Sequence, residues 1–199
     1  MRIIAGTASG RRLAEPKGQT TRPILDALKE RLFNILRAEI EGRVVWDLFA
    51  GVGNLGLEAL SRGAASCLFV ERDGGSFAVL KRNVTELGFG DRSRLHRGDA
   101  LAIAALPAET PPGLVFLDPP FPMVEREPAR FEATLGQLAG GLERGALVVF
   151  RAPSGIRTEF SPTGLCLRDR RDHGVNRLWI FEAGGPENPD GYPENCRSG

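Results

Sequence analysis

The stretch "VVWDLFAGVGNLGLEALSRG", residues 44–63, decides the architecture of this chain. An apolar run leads to glycines spaced GxGxxG (Gly51, Gly53, Gly56), and a helix-forming segment stopped by Gly63 follows. Strand, tight glycine turn and helix in that order bring backbone close to a nucleotide ligand. In a doubly wound sheet such a turn lies beyond the carboxyl end of a strand, where these folds bind their ligands.

Outward from this turn, strand and helix alternate. "SCLFVE" (66–71) reads as a second strand, with the helix "GSFAVLKRNVTELGF" (75–89) after it. "SRLHRGDA" (93–100) is a half-buried third strand, followed by the short apolar helix "LAIAAL" (101–106). "GLVFLDPP" (113–120) is a fourth strand that Pro119 and Pro120 end. A helix near 130–142 and a fifth strand, "GALVVFRAP" (145–153), come next. Repeated βα units predict a parallel sheet with helices on both faces. "GLCLRDRRDHGVNRLWIFEA" (164–183) breaks the rhythm: it reads as two strands joined by the turn "DHGVN", hence an antiparallel hairpin. The expected fold is therefore α/β, with seven strands, mostly parallel.

Before the glycine turn, residues 1–20 read as a short strand or hairpin and a loop. "TTRPILDALKERLFNILRAEI" (20–40) reads as a helix, with Pro23 in its first turn and Leu25, Leu28, Leu32 and Leu36 on one face. That apolar face must pack on something. The organisation predicted is a basic arm and helix over 1–42 docked on a core domain of 43–183. Residues 184–199, rich in Gly, Pro and acid, read as a disordered tail.

Composition sets outer limits. At 199 residues with 42% hydrophobic and 26% charged, the chain is an ordinary globular sequence. No apolar run approaches the ~20 residues of a membrane helix, and the four-residue apolar stretch near the start is too short for a signal peptide. Cys67, Cys166 and Cys196 form no CxxC and read as reduced thiols of a cytoplasmic protein. His96 and His173 have no partners at ligand spacing, so turn or surface roles are expected and no metal. Trp46 and Trp179 read as core, and Met123 as a loop filler. Residues 1–37 hold eight Lys/Arg against three Asp/Glu, a local +5 in a chain of net +1, which is the pattern of a polyanion binder. Nothing points to an obligate dimer; a monomer is expected.

The ligand of the glycine turn is chosen by the acids around it. Glu71 lies 20 residues past Gly51, where an acid grips ribose hydroxyls. That would suit NAD, but Asp47 stands four residues before Gly51 on the strand. Its carboxylate would repel a pyrophosphate and attract an ammonium and a sulfonium. Asp99 closes the third strand, where it could accept from an adenine amino group. Three carboxylates at successive strand tips select S-adenosylmethionine over NAD.

"VFLDPPF" (115–121) carries the chemistry. Consecutive prolines remove two N–H donors and stiffen the backbone, leaving the Asp118 side chain and the Pro119 carbonyl as a rigid pair of acceptors. Such a pair suits an exocyclic NH2 group, whose nitrogen it would aim at an electrophilic methyl. Phe121 offers a flat face for a flipped-out base.

These residues, with "GLEALSRGA" (56–64) and Asp99-Ala100, resemble the class I S-adenosylmethionine-dependent methyltransferases. The opening "MRIIAG" with "GRRL", then "TRP" and "LFNIL", is more closely similar to the RsmD family, the bacterial 16S ribosomal RNA guanine-N2 methyltransferases. The likeness covers roughly residues 1–182. It implies a class I Rossmann-like fold with a small N-terminal extension and a 16S ribosomal RNA or assembling small-subunit substrate. Asp47, Gly51, Gly53 and Asn54 would line the methionine part of the donor, Glu71 its ribose, and Asp99 and Ala100 its adenine. Asp118, Pro119 and Phe121 would hold the guanine. Arg2, Arg11, Arg12, Arg22 and Lys29 would face RNA. The chain departs from the family at Val52 and Phe121, at Ile24 and Ala27, and at His173-Gly174. The competing expectations are an adenine-N6 methyltransferase on DNA or RNA, and a nucleic-acid-binding module with a vestigial pocket.

Overall fold

The structure, a computed structural model, describes residues 1–16, 26–103 and 110–184. The chain divides into two compact units, Met1–Ala100 and Leu101–Gly199, a cut that runs through the core domain expected over 43–183. Of the expected tail, all but Gly184 lies outside the described residues, as do Pro23 and Leu25 of the first helix.

In the first unit β1 (Val44–Leu48), β2 (Ser66–Glu71) and β3 (Ser93–Arg97) are parallel, in the spatial order β3-β2-β1. α1 (Asp26–Ile35) precedes them, α2 (Asn54–Ser61) and α3 (Gly74–Leu87) connect them, and α4 (Ala100–Ile103) follows. Helical spacing on α1 buries Leu28, Leu32 and Phe33, as its amphipathic pattern requires. The guanidinium of Arg62, beyond α2, lies 4.9 Å from the Phe33 ring centre. The start of the chain forms a small hairpin closed by an antiparallel bridge between Arg2 and Arg12. It docks on the end of α2: Thr7 N–H donates to the Ser61 carbonyl at 2.8 Å and Ala8 N–H to Ser61 Oγ at 3.0 Å.

Asp73 caps α3 by accepting from Ser76 N–H at 2.7 Å. Those backbone N–H bonds hold its carboxyl below the usual carboxylate value. The cap therefore stabilises above that ordinary value, and the benefit is lost as pH falls through the lowered one. Asp73→Ala is expected to lower the melting temperature at neutral pH, with the difference closing in strong acid; thermal scans at both pH values check it.

In the second unit β4 (Leu114–Leu117) pairs parallel to β5 (Leu147–Pro153), and β5 pairs antiparallel to β7 (Asn176–Ala183). β6 (Leu165–His173) closes the hairpin with β7, and Gly174 in the joining turn has φ +58°. Phe131, Phe150, Phe160, Trp179 and Phe181 stack or meet edge to face in one run, with ring centres 5.0–6.1 Å apart, so Trp179 is core as expected. α6 (Pro128–Ala139) lies where a helix was expected, but α5 (Phe121–Arg126) was not foreseen. Proline ends a strand and equally suits the first turn of a helix; Pro122 does the second, and Met123 is buried in α5 instead of filling a loop.

The seven strands make one mostly parallel sheet with an antiparallel hairpin and helices around it, the Rossmann-like class I fold. Cys67 is a buried free thiol. Cys196 lies outside the described residues.

Candidate active site

Parallel pairing puts the carboxyl ends of β1, β2 and β3 on one edge, since Leu48 pairs with Val70 and Glu71 with Arg97. The chain leaves β1 through Phe49, a non-glycine residue at φ +63°, a strained conformation of the kind stored at functional turns. Gly51 and Gly53 follow at φ +57° and +89°. Glu71 clasps this turn: one carboxylate oxygen accepts from Gly51 N–H at 2.8 Å and the other from Asp73 N–H at 2.6 Å. Each oxygen retains a second acceptor position. Gly98 N–H donates to the Glu71 carbonyl at 3.2 Å, which ties the loop carrying Asp99 and Ala100 to the same edge.

Asp47 has a different surrounding from the one expected. It is 1% exposed, and Oδ2 accepts from Gly56 N–H at 2.8 Å in the first turn of α2. Gly53 at the N-cap offers no side-chain acceptor, so Asp47 serves the orphan helix donors from the neighbouring strand. The three glycines also separate in role. A Cβ on Gly51 would meet nothing within 4 Å. On Gly53 it would fall 2.6 Å from Leu80 Cδ1, and on Gly56 it would fall 2.4 Å from Phe69 Cε1 and 2.7 Å from Cys67 Sγ. Gly51 thus leaves the approach to the turn open, while Gly56 lets α2 lie against β2. Gly56→Ala is expected to cost about 1–3 kcal/mol through overpacking, read by urea denaturation.

A buried polar cluster fixes the turn to the arm. Lys29 is fully buried; its Nζ donates to the Arg2 carbonyl at 2.5 Å and to Asn54 Oδ1 at 2.9 Å, and pairs with Glu58 at 3.2 Å. Glu58, also fully buried, accepts from Ile4 N–H at 2.7 Å, Ala5 N–H at 3.0 Å and Arg62 Nε at 2.8 Å. The expectation that Lys29 faces RNA is thereby corrected: a fully enclosed ammonium touches no phosphate, and burial lowers its pKa against the pull of Glu58. Asn83 on α3 binds the Ala14 backbone and donates to the Val52 carbonyl at 3.0 Å, a second pin between arm and turn. Arg2, Arg11 and Arg12 are exposed; Arg2 lies 3.4 Å from Asp26, and Arg11 donates to the Glu86 carbonyl at 2.6 Å. Arg22 lies outside the described residues.

In the second unit Asp118 stands at the end of β4 with Pro119 buried behind it. The pairing of Leu117 with Phe150 sets Asp118 beside Arg151 of β5, whose Nε donates to Asp118 Oδ1. The Arg151 guanidinium also lies 4.6 Å from the centre of the Phe121 ring, covering one face. Burial raises the Asp118 carboxyl above the ordinary value, and the charge and hydrogen bond of Arg151 oppose that without cancelling it.

Arg151, Asn83 and Glu58 were not read as site residues. Arg151 had a signal: like Asp118 it is a charged residue directly after a buried apolar strand run. Glu58 is the one charged residue of α2. Among the described residues no helix is long and apolar enough to cross a membrane, and no group of three or more His, Cys, Asp or Glu could hold a metal.

The family model described as Conserved hypothetical protein 95 matches residues 1–182. Ribosomal RNA small subunit methyltransferase D of Escherichia coli is 40% identical over 121 residues, 61% of this chain and 60% of that one. The candidate rRNA methyltransferase YlbH of Bacillus subtilis is 40% identical over 123 residues, 61% of this chain and 67% of that one. The chain thus spans about three fifths to two thirds of the length of these relatives. A solved structure of a candidate methyltransferase from Escherichia coli superposes with a TM-score of 0.78 at 32% identity, covering 92% of this chain and 97% of the other. The chain belongs to the family described as Conserved hypothetical protein 95, which is the RsmD family its sequence resembles.

Proposed function

We propose that this chain transfers a methyl group from S-adenosylmethionine to the exocyclic N2 amine of a guanine in 16S ribosomal RNA. The observation that carries the reading is the corner at the end of β4, a largely buried Asp118 carboxylate followed by Pro119 and Pro120 and by the half-buried ring of Phe121. The glycine turn fits the donor. Gly51 offers open backbone, and the buried Asn54 Nδ2 has no hydrogen-bond partner among the described residues, leaving a donor for a carboxylate. Asp47 braces this turn through Gly56 N–H, and with Glu71, Asp99 and Ala100 it belongs to the strand edge that would hold the donor.

When bound, S-adenosylmethionine supplies an electrophilic methyl on a sulfonium. The chain's part is to hold the amine: Asp118 and the Pro119 carbonyl accept its two hydrogens, which directs the nitrogen lone pair. The proton that the amine sheds leaves along its hydrogen bond to Asp118, whose raised pKa suits brief acceptance. Phe121 stacks on the base with the face that Arg151 leaves to it. Arg2, Arg11 and Arg12 attract the phosphate backbone, and Arg22 belongs to the same arm. The substrate is ribosomal RNA or an assembling small subunit in the cytoplasm, and the enzyme works as a monomer without metal.

The test is incubation with radiolabelled S-adenosylmethionine and unmodified small ribosomal subunits, followed by nucleoside analysis. N2-methylguanosine is expected. N6-methyladenosine would replace the substrate, and no transfer with no donor binding by calorimetry would leave a nucleic-acid-binding module.

A further inference from the structure

Arg151 is committed to three partners at once. Its Nε donates to Asp118 Oδ1, its Nη1 donates to Asn176 Oδ1 at 2.8 Å, and its guanidinium carbon lies 4.6 Å from the Phe121 ring centre. Asn176 is held in turn, since its Nδ2 donates to the His173 carbonyl at 3.1 Å. The Arg151 and Asp118 side chains are only 12% and 18% exposed. A rigid, planar guanidinium meets these partners together, which the single ammonium of lysine does not.

We propose that Arg151 is the positioning residue of the amine-holding corner: it takes one oxygen of Asp118 and one face of Phe121, so that the other oxygen stays an ionised acceptor for the substrate amine. The inference rests on the role proposed above for Asp118. In a poorly hydrated corner a lone carboxylate would take up a proton, and a protonated Asp118 would turn a hydrogen toward the hydrogens of the amine. Among the described residues, Arg151 is the charged group that acts on Asp118; α5 brings the neutral Phe121 and β7 the neutral Asn176. Activity should rise as pH rises through the Asp118 titration. Removing Arg151 should move that rise to higher pH.

The full chain is compared with Arg151→Met, Arg151→Lys and Asp118→Ala. One readout is the carbon-13 NMR titration of the Asp118 carboxyl, assigned by its disappearance in D118A, which needs neither RNA nor donor. The other is the pH profile of kcat/KM on unmodified small ribosomal subunits. In R151M the titration midpoint should rise by about one to three pH units, the shift expected on losing an adjacent opposite charge, with the acid limb of activity following it. R151K should return much of the midpoint but not the full rate above it, because lysine does not hold Phe121 and Asn176 together. An unmoved midpoint in R151M that still binds S-adenosylmethionine overturns the inference. If R151M fails to fold, full wild-type behaviour of R151K at every pH overturns it. Wild-type activity of D118A would instead overturn the reading of Asp118, whatever the titration shows.

Discussion

Asp118→Ala is expected to lower kcat for methyl transfer by at least ~10²–10³-fold, the scale of losing one preorganised electrostatic contact to a reacting group. The affinity for S-adenosylmethionine should be unchanged. The residues proposed to hold the donor, Asp47 through Ala100, all belong to the unit Met1–Ala100, whereas Asp118 belongs to Leu101–Gly199. The substitution also strips Arg151 of its carboxylate partner, so Phe121 should lose part of its support and KM for RNA should rise. Steady-state kinetics with calorimetry of donor binding checks both parts. A D118A protein with unchanged kcat would remove the chemical basis of the proposed function.

Glu58→Ala should give the largest loss of stability. Its carboxylate is fully buried and serves Lys29, Arg62 and the N–H groups of Ile4 and Ala5. Removing it leaves the fully buried Lys29 ammonium with carbonyl partners alone, and breaking a buried pair in this way costs about 3–5 kcal/mol. Lys29→Met should cost less, because Glu58 keeps its other three partners. Urea denaturation gives the two stabilities. Hydrogen exchange should register release of residues 1–16 in E58A, because the arm's Ile4 and Ala5 amides lose their acceptor. Equal stability of E58A and the parent chain would refute this account of how the arm is held.

Much of the architecture was readable from local pattern. Alternation of apolar runs with amphipathic segments placed the ends of β1 to β7 within three residues, because strand and helix periods differ and glycine and proline punctuate them. The double role of proline hid α5: Pro119 and Pro120 follow the end of β4, and Pro122 sits in the first turn of the helix that begins at Phe121. The acids at the ends of β1 to β3 were legible for a related reason: parallel strands of one unit bring their carboxyl ends to one edge, so position along the chain fixes position on the sheet.

Burial and pairing were not legible. A lysine in a basic arm counts as a surface charge until packing encloses it, and Lys29 is enclosed by the arm backbone, Asn54 and Glu58, which lie 25 or more residues away. Asp47 has the sequence position of a ligand contact, and only the fold shows that its carboxylate is buried and accepts from Gly56 N–H. Arg151 lies 33 residues from Asp118, and only the β4–β5 register makes them neighbours. The sequence by itself determined the order of elements, the glycine turn and the chemical types at the strand tips, because these follow from local periodicity and turn stereochemistry. The tertiary structure alone decided which charges meet solvent and which meet each other, because that depends on packing between segments far apart in the chain.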